Sequence, residues 1–160
     1  MKGLLLFVVG VCVGAVMTQS GVAQDSRPRG LNHVGIAVKN YDETIAFYKS
    51  ALGLREAYAL KTADGGPLLT YLQVSRDTFL EVQPATANLP AGLTHFAIEY
   101  GDLRSAVTEM RANNVTAADP GLTPGKALFS RIKDLDGVSI EVMEFGPESQ
   151  QRKAMEGWRP

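Results

Sequence analysis

Apolar and polar residues alternate along Leu31-Asn32-His33-Val34-Gly35-Ile36-Ala37-Val38, with Val34, Ile36 and Val38 on one face and His33, Gly35 and Ala37 on the other. That is the period of a β-strand. The alternation returns at Leu93-Thr94-His95-Phe96-Ala97-Ile98-Glu99-Tyr100, where Phe96, Ile98 and Tyr100 oppose His95, Ala97 and Glu99. Helical spacing follows each strand. In the first half, Asn40 with Glu43 forms an N-cap pattern, Tyr41, Ile45, Tyr48 and Leu52 make the stripe, and Gly53 supplies the stop. In the second, Asp102 caps, Leu103, Ala106, Val107 and Met110 make the stripe, and Asn113-Asn114 ends it.

Three further strands are predicted behind each helix, at 54–60, 67–74 and 78–83 and at 115–118, 127–133 and 138–144, with Asp136-Gly137 as a hairpin turn between the last two. The chain therefore predicts an α+β domain over residues 31–146, built from two βαβββ modules at 31–84 and 93–146. Residues 24–30 read as a polar linker and 147–160 as a loosely held polar tail, with Trp158 docking on the body or on a partner subunit.

The repeat extends to chemistry. His33 and His95 are the only histidines, and they occupy matching positions. Parity places Glu81 opposite Leu80 and Val82, and Glu141 opposite Ile140 and Val142, so four ligand types fall on the non-core faces of four strands. His33 precedes Glu81 by 48 residues and His95 precedes Glu141 by 46. Two carboxylates in one cavity repel unless a positive charge lies between them. A divalent metal bound by His33, Glu81, His95 and Glu141 is the expectation, and this donor set suits Zn, Ni, Co, Mn or Fe better than Ca or Mg. Glu99 shares a face with His95 but has no counterpart in the first half.

Composition narrows the alternatives. A net charge of −1 over 160 residues lacks the basic footprint of a nucleic-acid binder. Lys2, the apolar run from Gly3 to Met17 and the small residues ending at Ala23 read as a signal peptide over residues 1–23, so the protein is expected to be exported, periplasmic or secreted, without stable membrane association after cleavage. An uncleaved anchor is the rival reading. Cys12 is the only cysteine, so the processed chain would contain neither a disulfide nor a reactive thiol.

With His33-Val34-Gly35-Ile36-Ala37-Val38, Ala46-Phe47-Tyr48, Leu52-Gly53-Leu54, Phe79-Leu80-Glu81-Val82, Leu93-Thr94-His95-Phe96, Asp134-Leu135-Asp136-Gly137 and Ile140-Glu141 in place, the chain resembles the vicinal oxygen chelate superfamily. Glyoxalase I, methylmalonyl-CoA epimerase, extradiol dioxygenases and fosfomycin- and bleomycin-resistance proteins belong to it. The resemblance implies a curved mixed sheet around a metal cleft. It also implies that Glu81 favours the glyoxalase I and epimerase branches, because dioxygenases and fosfomycin-resistance proteins generally match only His33, His95 and Glu141.

The implied activity is a glyoxalase I-like lyase or isomerase reaction on a small substrate with vicinal oxygens. The metal would stabilise an enediolate while Glu141 acts as the catalytic base. An epimerase, a dioxygenase and a non-catalytic binding protein are the alternatives. Ala37 and Ala85 stand where many glyoxalases carry glutathione-contacting Arg and Asn, which weakens the glutathione reading. Arg55, Arg76, Arg104 and Arg131 read as surface charges. Relatives often form homodimers, in which His33 and Glu81 could meet His95 and Glu141 across an interface.

Overall fold

The computed structural model describes residues 25–159, and the predicted leader lies outside the described residues. The first module contains β1 (Pro28–Val38), α1 (Tyr41–Ala51), β2 (Arg55–Lys61), β3 (Pro67–Gln73) and β4 (Phe79–Pro84). The second contains β5 (Gly92–Tyr100), α2 (Leu103–Ala112), β6 (Gly121–Leu122), β7 (Leu128–Lys133) and β8 (Ser139–Glu144), and α3 (Gln150–Glu156) follows it. Eight strands form one sheet in the order β2-β3-β4-β1-β5-β8-β7-β6, curled into a half-barrel. Each module has the same internal order, reflected about the antiparallel β1–β5 junction. β1–β4 and β5–β8 are parallel pairs. The βαβββ repeat thus places its two leading strands side by side at the centre.

The two helices lie differently on the sheet. In α2, Asp102 accepts a 3.0 Å bond from Ser105 N–H, Leu103, Ala106 and Val107 are buried, and Leu103 and Val107 pack with Val142 and its neighbours. α1 buries no residue completely. Asn40 occupies its N-cap position without a side-chain cap bond; the backbone and hydroxyl of Thr44 bond to the Asn40 carbonyl instead. At the other end Gly53, with φ +68°, allows Leu54 N–H to close on the Tyr48 carbonyl.

Three expectations require correction. Residues 115–118 form no strand, because side chains take the backbone acceptors that a ladder would use. The Arg111 guanidinium donates to the Ala117 carbonyl and Ser130 Oγ to that of Ala118. The short β6 forms further on. Part of the expected 24–30 linker belongs to β1, since Pro28 and Gly30 pair with Tyr100 and Glu99. The expected loose tail contains α3, capped by Ser149, which accepts from Arg152 N–H. Gln151 and Met155, four residues apart, face inward from a helix whose other positions, Ala154 apart, are polar. Arg55 lies over the Trp158 ring at 5.3 Å, so Trp158 docks on the body of the same chain. Among the described residues, no helix is long and apolar enough to cross a membrane.

A second apolar cluster lies on the concave face, where Tyr71, Phe79, Ala97, Met143 and Phe145 pack with Met155 of α3. The face opposite α1 and α2 is therefore also a core, and the candidate site is set into it.

Candidate metal centre

Register builds the site. One row across the sheet runs Tyr71, Glu81, Gly35, His95, and the next on the same face runs Phe79, His33, Ala97, Glu141, Arg131. Each row sets one small residue between larger ones, so the four polar side chains lean over Gly35 and Ala97 toward a common point. Gly35 is required for this approach: a Cβ there would lie 2.2 Å from His95 Cε1. Ala97 is fully buried beneath the cluster.

His33, Glu81, His95 and Glu141 each present one ligand atom, and these atoms lie within 4.8 Å of one another. All four residues are buried. His33 Nε2 is 3.2 Å from His95 Nε2, 3.5 Å from Glu81 Oε2 and 3.6 Å from Glu141 Oε2. His95 Nε2 is 3.9 Å from Glu81 Oε1 and 3.6 Å from Glu141 Oε2. All four side chains converge within one chain.

Hydrogen bonds behind the ligands fix which atoms point inward. His33 Nδ1 is 2.9 Å from Asn32 Oδ1, an acceptor, so Nδ1 carries the proton and Nε2 offers its lone pair. His95 Nδ1 is likewise 2.9 Å from Thr94 Oγ1. Tyr71 Oη donates to Glu81 Oε2 and Gln83 Nε2 to Glu81 Oε1. Arg131 Nη2 donates to Glu141 Oε1, which corrects its reading as a mere surface charge. Two imidazole lone pairs and two carboxylates converging in a buried space repel one another, and a divalent cation removes that repulsion. The donor set therefore fits a metal.

Local electrostatics agree with ligand roles. Burial pushes the His95 imidazole below its ordinary value, against the opposing pull of Glu141 and Glu81, and so favours the neutral form that coordinates. Burial opposes the charge of Glu141, but the neighbouring His33, Arg131 and His95 outweigh it and hold the carboxyl at about 2. Burial and the Glu81 charge push the Tyr71 phenol well above its ordinary range, so it remains a donor. Glu99 is not part of the cluster; its carboxylate meets Arg152 of α3 at 3.3 Å.

A cavity of about 210 Å³ opens onto the carboxylate side of the cluster. Glu81 and Glu141 meet walls formed by Leu69, Phe129, Met143 and the 123–125 loop, with α3 contributing Gln151. A second, more polar recess of about 250 Å³ lies on the His95 side, between Thr94, Arg131 and Ser139. Tyr71, Gln83, Asn32 and Thr94 were missed from sequence. The matched Asn32-His33 and Thr94-His95 pairs carried a signal, as a hydrogen-bonding side chain precedes each histidine.

Paired βαβββ modules curled around a buried His₂Glu₂ set define a single-chain candidate metal-site domain. The family model for the glyoxalase/bleomycin resistance protein/dioxygenase superfamily matches residues 30–142, and the chain belongs to that superfamily. It is 24% identical over 126 residues to mitochondrial methylmalonyl-CoA epimerase of Homo sapiens, covering 70% of this chain and 72% of that protein. It is 28% identical over 126 residues to a lactoylglutathione lyase of Arabidopsis thaliana, covering 72% of this chain but only 44% of the plant enzyme. Among solved structures, methylmalonyl-CoA epimerase from Mycobacterium tuberculosis aligns with a TM-score of 0.65 at 23% identity, covering 74% of this chain and 89% of the other. That likeness establishes the fold.

Proposed function

We propose that this protein catalyses metal-dependent proton transfer beside a carbonyl on a small substrate with two adjacent oxygens, the chemistry of a glyoxalase I-like lyase or isomerase. The observation that carries the reading is Glu81, which converges with His33, His95 and Glu141 to complete a four-residue ligand set. The similarity to a methylmalonyl-CoA epimerase and a lactoylglutathione lyase supports it.

When bound, a divalent cation would supply Lewis-acid polarisation of the substrate oxygens. The protein's own groups do the rest. Asn32 and Thr94 orient the histidines, while Tyr71 and Gln83 hold Glu81 without adding positive charge. The apolar walls limit water around the reacting carbon. Glu141 takes the proton and returns it at the neighbouring carbon. Its depressed pKa keeps it ionised, and Arg131 holds its Oε1 in place.

The test is solvent exchange. Metal-loaded protein incubated in D₂O with α-keto hemithioacetals and with epimerisable 2-substituted acyl thioesters should place deuterium on the carbon beside the carbonyl. Glu141→Gln should abolish this while retaining binding of substrate analogues; undiminished exchange would remove Glu141 from the mechanism. We further propose that the protein acts after export, and a native chain beginning at Gln24 by mass spectrometry would agree, whereas retained Met1 would not.

A further inference from the structure

α3 lies outside the 30–142 span matched by the family model, yet it forms one wall of the cavity above the metal centre. Its seating is firm. Gln150 N–H donates to the Gly125 carbonyl, Gln73 Nε2 to the Ala154 carbonyl, and Arg152 bonds to both Glu99 and the Phe145 carbonyl. Within this well-bonded helix one group stands apart. Gln151 is 2% exposed, and its Oε1 is the one buried side-chain oxygen or nitrogen without a hydrogen-bond partner among the described residues.

A buried amide oxygen left unpaired destabilises the fold, and in native proteins nearly all such groups are satisfied. A purely structural helix could have placed an apolar residue at this inward position, as it does with Met155. The exception lies in the wall of the same cavity that exposes Glu81 and Glu141, and the surfaces between are chiefly apolar, from Leu60, Leu69, Phe129 and Met143. The cavity volume corresponds to about seven water molecules, below the range of roughly 300–1,000 Å³ usual for drug-sized ligands.

We infer that Gln151 is a specificity-determining residue, and that the cavity selects a compact molecule with two adjacent oxygens at one end, hydrocarbon in the middle and an O–H or N–H at the other, which donates to Gln151 Oε1. This rests on the metal-site reading proposed above. A site built to accept a hydrogen bond discriminates strongly against an analogue lacking the donor, because that analogue leaves the buried oxygen unpaired.

Cobalt-loaded full-length protein tests this with short hydroxamates, whose adjacent oxygens chelate the metal, in graded chain lengths and in matched ω-hydroxyl and ω-methyl forms. At one length the ω-hydroxyl probe should bind about tenfold or more tighter than its methyl partner. Gln151→Met and Gln151→Leu should remove or reverse that preference, leave cobalt content unchanged, and raise the Tm of the metal-free protein. No preference at any length, or a lowered Tm in both variants, would overturn the assignment. Failure of cobalt to load would overturn the proposed function and this inference with it, and metal analysis reveals that before any probe is added.

Discussion

The two halves of the sheet present the same ligands but support them differently. In the first module Glu81 is held by two neutral donors, Tyr71 and Gln83, and α1 covers its strands without burying any residue completely. Phe47 and Leu52 of that region are 56% and 59% exposed. In the second, Glu141 is held by the Arg131 guanidinium, and α2 is anchored by Leu103, Ala106 and Val107. The ligand geometry is symmetrical although the helices are not. Strand register, rather than helix packing, therefore brings the four side chains together, and the carboxylates differ because one shares its charge with the Arg131 cation and the other is held by neutral donors.

Truncation on the two helices should show the largest difference. Leu103→Ala should destabilise the protein by about 2–5 kcal/mol, as expected for a fully buried leucine, whereas Ile45→Ala on α1 should cost less than half as much. Urea unfolding of both variants measures the contrast, and equal losses would show that α1 is seated as firmly as α2.

Register predicts the next effect. Gly35→Ala should lower metal affinity by about 10–100-fold, the scale of disturbing a ligand's orientation, since its Cβ displaces the His95 ring. Competition with a chromophoric chelator reads this. Wild-type affinity in a folded Gly35→Ala protein would contradict the row geometry.

The carboxylate supports should separate by a smaller margin. Tyr71→Phe removes an orienting donor from Glu81 and should weaken metal binding about tenfold. Arg131→Met also removes a donor but relieves charge repulsion with the metal, so its loss should be smaller. The reverse ranking in the same competition assay would show that charge matters less here than orientation.

The smallest effect concerns the helix caps. Hydrogen bonds from Ser105 hold the Asp102 carboxyl below its usual 3.8. Its contribution is therefore present above pH 3.8 and lost as the pH falls through the lower folded value. Asp102→Ala should reduce the Tm modestly at neutral pH and progressively less in acid, while Asn40→Ala, which removes no cap bond, should change it little at either pH.

Much of this contrast was invisible in the sequence, although the site itself was not. Alternation at His33, Glu81, His95 and Glu141 fixes the face each side chain occupies, and the repeat places the four strands together, so period and spacing sufficed to predict that these four side chains converge. Parity said nothing of cross-strand partners, which depend on register, and so Tyr71 opposite Glu81 and Arg131 opposite Glu141 emerged only from the pairing. Helical spacing marked both helices but not how tightly each is seated. The polar run Gln150 to Lys153 concealed α3, because one of its two fully buried residues, Gln151, is itself polar. The strand expected at 115–118 failed through side-chain capture of its carbonyls by Arg111 and Ser130, an interaction that no local pattern announces.

The central claim is that four residues from one chain form one metal centre with Glu81 as a full member. Metal analysis of the full-length protein purified without chelator, beside His33→Ala and Glu81→Ala, tests it most directly. About one transition metal per chain, lost in both variants, is the predicted result. Absence of metal from the wild-type protein even after Ni, Zn, Co, Mn or Fe is supplied, or full occupancy in Glu81→Ala, would contradict it.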